Sequence, residues 1–237
     1  MQGILPLWPA PTWVRALTTT VEFGNLATHV EDDPHHVARN RQQLIQALHL
    51  KHEPVWLKQT HSTKVVEVTH RSHQDSEADG SFTTEQGVPC VVLTADCLPL
   101  LLCDTDGTVV GAVHCGWRGI QAGIIEKAVT EMANYAKSDI IAWMGPAIGQ
   151  QAYEVGQEVY DIFVGDDKAA SYAFKATINP GKYLMDMEHL ARQRLKVSGV
   201  TGIYGGGHCT YTEKDRFYSY RRNKATGRMA TLIWLDS

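Results

Sequence analysis

The stretch that decides the fold is Cys90-Val91-Val92-Leu93, then Thr94-Ala95-Asp96-Cys97-Leu98-Pro99, then Leu100-Leu101-Leu102. Two short apolar runs, each the length of a buried strand, bracket a polar, proline-containing interruption where a strand should break. Downstream, residues 104–107 read as a turn. Val109, Val110, Ala112 and Val113 then form a second buried strand that delivers His114 at its end, before the loop Gly116-Trp117-Arg118-Gly119. These short apolar runs read as buried strands, and the order of the elements around them decides the kind of sheet they join.

Outward from there, strands and helices alternate without a regular βαβ rhythm. Residues 15–20 can form a strand. Asp33 followed by Pro34 is an N-cap with proline at the first helical position, and Val37, Leu44, Ile45 and Leu48 share one face, so a helix should run to about Leu50. Residues 55–58 and 65–68 are β-prone and flank Gln59-Thr60-His61-Ser62-Thr63, which places His61 in a connection between strands. Beyond the centre, Ile124, Ile125, Ala128, Val129 and Met132 mark a helix and residues 140–144 a strand. Gly145-Pro146-Ala147-Ile148-Gly149 is a loop, and Val155, Val159, Ile162 and Phe163 suggest a short helix. Asp186 caps a helix with Met187, Leu190, Ala191 and Leu195 inward and Gly199 as its stop. Residues 218–220 and 229–234 read as closing strands around a Thr226-Gly227 turn. The fold expected is α+β, with layered mixed β-sheets flanked by helices, as a single domain over residues 1–237.

Composition limits the partners. The 237 residues are 43% hydrophobic and 20% charged, and 22 basic against 26 acidic side chains give a net charge of -4. No broad basic surface invites a nucleic acid polymer or an anionic membrane. No apolar run is long enough to span a bilayer, and residues 1–17 lack the pattern of a secretion signal. Five cysteines, an odd number in a chain with no export signal, argue against a disulfide framework, and a soluble cytoplasmic protein is expected. Cys90 and Cys103, set among Val and Leu, read as small buried hydrophobes.

Cys97 differs because of its surroundings. His61, Cys97 and His114 each fall at a strand end or strand break, where side chains from separate strands can converge while the sheet holds them still. One thiolate and two imidazoles suit zinc, and three protein ligands leave a fourth tetrahedral position for water or substrate. Spacing alone is a weak signal, because the chain has 11 histidines and neither CxxC nor HExxH. A turn histidine, a core histidine and a buried thiol would account for the three residues separately. In extended chain Cys115 points away from His114 and Asp96 away from Cys97. Asp96 is then either a proton-transfer group near the ion or a carboxylate that accepts loop N–H groups.

Taken together, Trp56-Leu57-Lys58-Gln59-Thr60-His61, residues 94–100, Ala112-Val113-His114-Cys115-Gly116-Trp117-Arg118-Gly119 and residues 145–149 resemble the laccase-domain (YfiH-type) family. So do Cys209-Thr210, Phe217-Tyr218-Ser219-Tyr220-Arg221-Arg222 and Gly227-Arg228-Met229-Ala230. The resemblance covers nearly the whole chain. It implies a layered mixed-sheet fold and one zinc ion on His61, Cys97 and His114, with copper as a substitute. It further implies phosphate-dependent cleavage of inosine, adenosine and methylthioadenosine, and deamination of adenosine. A second role it implies is the editing of a peptidoglycan precursor that carries the wrong amino acid. The sequence departs from the family pattern in a shorter approach to Asn25-Leu26, in Ser62 and Cys115, and in Gln150-Gln151, which replaces a cysteine pair.

Phosphorolysis needs groups that hold phosphate, and a bidentate guanidinium suits phosphate oxygens. Arg118 is the first candidate, with Arg41, Arg221 and Arg222 behind it; Asn25, Arg41, Gln59 and Arg221 are expected to bind substrate. Asp96 or Glu154 would move protons in deamination, although the usual zinc deaminase signature is absent. Two other classes use the same residues. A cysteine hydrolase would take Cys97 as nucleophile with His61 or His114 as base. A non-catalytic metal-binding protein would close the site with a fourth ligand, for which His208 is the residue to inspect. A multicopper oxidase needs His-x-His pairs, and the chain has none.

Overall fold

The structure is a computed structural model and describes residues 2–236. In chain order the elements are β1 (Val14–Thr18), α1 (Pro34–Ala47), β2 (Val65–Glu67), β3 (Gly80–Thr83), β4 (Cys90–Thr94), β5 (Leu98–Asp104) and β6 (Val110–Cys115). They continue with α2 (Trp117–Ala122), α3 (Ile124–Ala133), β7 (Ile140–Met144), β8 (Glu154–Gly156), α4 (Gln157–Asp166), β9 (Phe174–Ala176), β10 (Lys182–Met185), α5 (Met187–Val197), β11 (Gly202–Gly205) and β12 (Met229–Leu235). A six-stranded mixed sheet runs β11-β7-β5-β6-β3-β2, a second sheet runs β1-β12-β4, and a small third sheet runs β8-β10-β9.

The alternation of β5 sets the layers. Leu98, Leu100 and Leu102 face the helix side, in a cluster with Ile125 and Met132 of α3 and Leu190 and Leu195 of α5. Leu101 and Cys103 face the other way and pack with Cys90, Val92, Ile233 and Leu235 of the second sheet. The far side of that sheet, with Leu17, Val91, Leu232 and Trp234, is closed by Leu44 of α1 and by Trp56. The order is therefore helices, large sheet, small sheet, helix, and every residue of β4, β5, β6 and β12 is buried. No helix among the described residues is long and apolar enough to cross a membrane.

Most predicted elements form where the sequence places them. Asp33 caps α1 by accepting from the His35 N–H at 2.9 Å, and Asp186 caps α5 by accepting from the His189 N–H at 2.9 Å. Gly199 takes the left-handed conformation, φ 85°, that ends α5. Cys90 and Cys103 are fully buried, which pushes both thiols up to about 12.

Four local expectations change. Residues 55–58 form only isolated bridges, Val55 with Cys90 and Lys58 with Glu77. Residues 218–220 form no strand and run irregularly into a turn, because Arg222 gathers the Thr210, Tyr211 and Phe217 carbonyls with its guanidinium and holds that segment curled. Gly116 is the N-cap of helix α2, so Trp117 and Arg118 open a helix instead of lying in a loop. Val155 belongs to β8, and the helix after it begins at Gln157. The strand break is also narrower than the sequence suggests. Pro99 sits inside β5, one residue from its start, where a missing N–H is tolerated, and the break is confined to residues 95–97.

Candidate metal centre

Three separate pieces of chain bring His61, Cys97 and His114 together. His114 is the penultimate residue of β6 and pairs with Pro99, so Cys97, two residues earlier in the break, lies beside it. His61 arrives from the turn before β2. The ligand atoms of the three residues all lie within 4.8 Å of one another. His61 Nε2 is 3.8 Å from Cys97 Sγ, and the two imidazole rings meet edge to face with centroids 4.8 Å apart.

Asp79, immediately before β3, organises this arrangement, and no motif in the sequence points to it. Its side chain is fully buried. One carboxylate oxygen accepts from His114 Nδ1 at 2.8 Å and from the His61 N–H at 2.9 Å. The other accepts from the Thr60 N–H, the Ser62 N–H and the Ser62 hydroxyl at 3.1, 2.7 and 2.7 Å. The His114 N–H donates to the Asp79 carbonyl at 2.7 Å. These bonds hold His61 in the left-handed region, φ 61°, which costs a non-glycine residue about 1 kcal/mol. They also fix His114 with Nδ1 on the carboxylate, leaving Nε2 to face Cys97, the second-sphere arrangement usual behind a metal-bound histidine.

The electrostatics follow from burial and contact. Burial works to raise Asp79, but hydrogen bonds from His114 and Ser62 outweigh it and hold the carboxyl well below the usual range. Burial likewise works to raise the Cys97 thiol, but the His114 charge and hydrogen bonds from both histidines bring it down to about 6. His114 is lowered by burial and raised more by Cys97 and Asp79, to about 9. A soft donor and two imidazoles within coordinating distance fit a transition-metal ion such as zinc. Space fits as well, because a Cβ at Gly116 would lie 2.7 Å from His61 Cδ2 and 3.3 Å from Cys97 Sγ.

The cluster floors a cleft of about 440 Å³ whose walls include His29, Gln59, Arg118, Tyr220 and Arg228. Arg118 stands over the Trp117 ring at 4.4 Å and makes no hydrogen bond or ion pair among the described residues. Gln59 reaches the cleft with its side-chain amide bonded in both directions to the Leu93 backbone, at 2.8 and 2.7 Å.

The other expected site residues lie elsewhere. Arg41 donates to the Leu26 carbonyl, stacks on Trp56 at 4.0 Å and lines a separate depression with Thr28, Gln42 and Glu53. Arg221 donates to the Glu154 carbonyl, and neither residue lines the cleft. Asn25 is buried behind the cleft wall. Asp96, φ 96°, lies in the break rather than in extended chain, so strand alternation does not apply to it; its two oxygens accept from the Thr210 hydroxyl at 2.7 Å and the Arg221 N–H at 2.6 Å. Of its two expected roles, these bonds match the structural one. His208 pairs with Glu213 at 3.2 Å and is not among the clustered donors, so the described residues offer three ligands and no fourth. His29, Tyr220 and Arg228 line the cleft without being expected site residues, although Tyr220 and Arg228 both lie in segments that carry the family resemblance.

Fold and cleft define a layered α+β protein with a His–Cys–His cluster at the bottom of a cation-lined cleft. The chain belongs to the family described as multi-copper polyphenol oxidoreductase laccase, which it matches over residues 17–236. It is 47% identical to the Escherichia coli protein named purine nucleoside phosphorylase YfiH, with 98% of each chain covered. It is 45% identical to a Haemophilus influenzae protein named purine nucleoside phosphorylase, with both chains covered in full. The crystal structure of a Neisseria meningitidis protein, 43% identical, superposes over the whole of both chains with a TM-score of 0.93.

Two outcomes follow for metal binding. Without an ion, Cys97 and His114 shift each other toward thiolate and imidazolium, so an ion displaces a proton from His114. Zinc affinity, measured by competition with a chromophoric chelator, should rise about tenfold per pH unit from about pH 7 to 9 and level off above that. Asp79→Asn should weaken zinc binding by about 10–100-fold at pH 7.5 in the same assay, because the carboxylate that orients His114 and raises its basicity is gone.

Proposed function

We propose that the chain is a zinc-dependent purine nucleoside phosphorylase acting on inosine, adenosine and methylthioadenosine, with adenosine deamination as a second activity of the same cleft. The observation that carries this reading is Arg118, a guanidinium stacked on Trp117 with no hydrogen bond or ion pair among the described residues, on the wall of a cleft floored by the His61–Cys97–His114 donor set. A guanidinium so placed suits phosphate oxygens, and the names of the relatives agree with that chemistry. Copper is an alternative occupant, since the donor set does not by itself discriminate between the two ions. Five cysteines with no disulfide among them fit a cytoplasmic location.

In phosphorolysis a phosphate oxygen bonds to C1′ of the sugar, the C1′–N9 bond breaks, and the purine leaves with the electron pair and takes up a proton. Arg118 would hold the phosphate in line with that bond, which is catalysis by positioning and charge. A bound zinc ion would supply Lewis acidity beside the reacting atoms. The protein's own part is to keep that corner rigid: Asp79 locks His114, Gln59 is fixed to β4, and Asp96 ties the Thr210 and Arg221 loops to the strand break. Adenosine deamination would exchange the C6 amino group for a water oxygen and release ammonia.

A second reading has an observation of its own. Cys97, His114 and Asp79 stand in the order of a cysteine-hydrolase triad, with a 2.8 Å bond from His114 Nδ1 to the carboxylate. Such a hydrolase would serve the editing of a peptidoglycan precursor. A metal on Cys97 removes the free thiolate it needs, so metal content separates the two.

Purified protein incubated with inosine or adenosine should release free base only when phosphate is present, and His114→Ala should lose zinc and this activity together. No phosphate-dependent base from either nucleoside would overturn the phosphorylase reading. Metal-free protein with a hydrolase activity destroyed by thiol alkylation would favour the hydrolase.

A further inference from the structure

We propose that Arg228, with His29 beside it, forms a phosphate-oxyanion subsite in the cleft wall, and that Asn25 acts through Arg228 as a positioning residue. The identity of the ligand rests on the phosphorylase reading; the subsite itself rests on geometry. Arg228 is half-buried and has no carboxylate within ion-pair distance among the described residues. Its Nη1 donates to the Thr226 and Gly227 carbonyls at 2.8 and 3.1 Å, which fixes the plane of the guanidinium. Nε and Nη2 keep no partner among the described residues and form the pair of parallel donors that a phosphate accepts.

The backbone beneath is held equally firmly. The Arg228 N–H donates to Asn25 Oδ1 at 3.0 Å, and the Leu26 N–H donates back to the Arg228 carbonyl at 3.4 Å. Asn25 is itself pinned: its amide donates to the Ala27 carbonyl and to Asp32, both at 2.9 Å, and its carbonyl accepts from Asn40 at 2.9 Å. Gly227 permits this approach, since a Cβ there would lie 2.8 Å from Asn25 Cβ and 3.0 Å from the Tyr218 ring. A rigid, half-buried cation with two spare donors is the arrangement that binds an anion without an ordering cost.

Other arginines near the cleft differ. Arg222 spends both of its Nη groups on backbone carbonyls, Arg221 does not line the cleft, and Arg118 is exposed. His29, on the same wall as Arg228, is disfavoured as a cation by burial and by the charges of Arg228, Arg41 and His114, so it offers a neutral imidazole for a further hydrogen bond. Charge also matches. The Cys97 thiolate and the Asp79 carboxylate balance a divalent ion, leaving the two guanidinium groups of Arg118 and Arg228 to face a phosphate dianion.

The test is calorimetric titration of the zinc-loaded protein with inorganic phosphate and, separately, with inosine 5′-monophosphate, neither requiring turnover. Arg228→Gln should weaken phosphate binding about 10–100-fold, with Arg228→Lys between it and the unaltered protein because charge survives and the paired donors do not. Asn25→Ala should act in the same direction by about 3–10-fold, and in steady state both variants should raise the KM for phosphate while leaving the KM for inosine within about twofold. Loss confined to the monophosphate titration would identify a nucleotide as carrier of the oxyanion. Phosphate binding that depends on Arg228 but yields no base would refute phosphorolysis and keep the subsite. Unchanged affinity for both ligands in Arg228→Gln, with zinc content intact, would overturn the proposal.

Discussion

The candidate centre depends on the buried carboxylate of Asp79. It accepts hydrogen bonds from three consecutive backbone groups, a hydroxyl and an imidazole, drawn from chain segments that share no local sequence. A charge taken out of water is stabilised only when its lone pairs are filled, and here they are filled by the groups that the metal ligands need held. One residue thus bends the turn that carries His61 and fixes the ring of His114. Removing it would leave a left-handed histidine without its support and an imidazole free to rotate.

The layers explain why such a site can be rigid. β5 and β6 are buried between the helices and the second sheet, and β4 lies in that second sheet with its far face closed by α1 and Trp56, so the strand break at residues 95–97 and the end of β6 are held on both sides. Cys97 and His114 inherit that stiffness from their neighbours. The loops that complete the cleft are tied to the same frame by side chains: Asp96 to Thr210 and Arg221, Asn25 to Arg228, Gln59 to Leu93. Asn25, Asp96 and Arg221, expected from the sequence to be site residues, are bonded into this frame and do not line the cleft.

Legibility in the sequence followed the range of the interaction. Strand-end positions made His61, Cys97 and His114 a plausible trio, and caps such as Asp33 and Asp186 announced their helices, because those signals are local. Asp79 was silent because its partners lie 17 to 35 residues away; an acidic residue leading into the buried strand Gly80–Thr83 was the only hint. Residues 55–58 and 218–220 have strand-like composition, but the first finds only single bridges and the second is curled by Arg222. Arg228 lies in a motif but carries no local signal of its place, since its backbone is seated on Asn25, 203 residues away.

The central claim is that one divalent ion sits on His61, Cys97 and His114. X-ray absorption at the metal edge of the purified protein tests it most directly. The account predicts one metal per chain, one sulfur at about 2.3 Å and two imidazole nitrogens at about 2.0–2.1 Å, with the remaining position taken by a light atom. A protein purified without stoichiometric metal, or a metal shell that contains no sulfur, would contradict it.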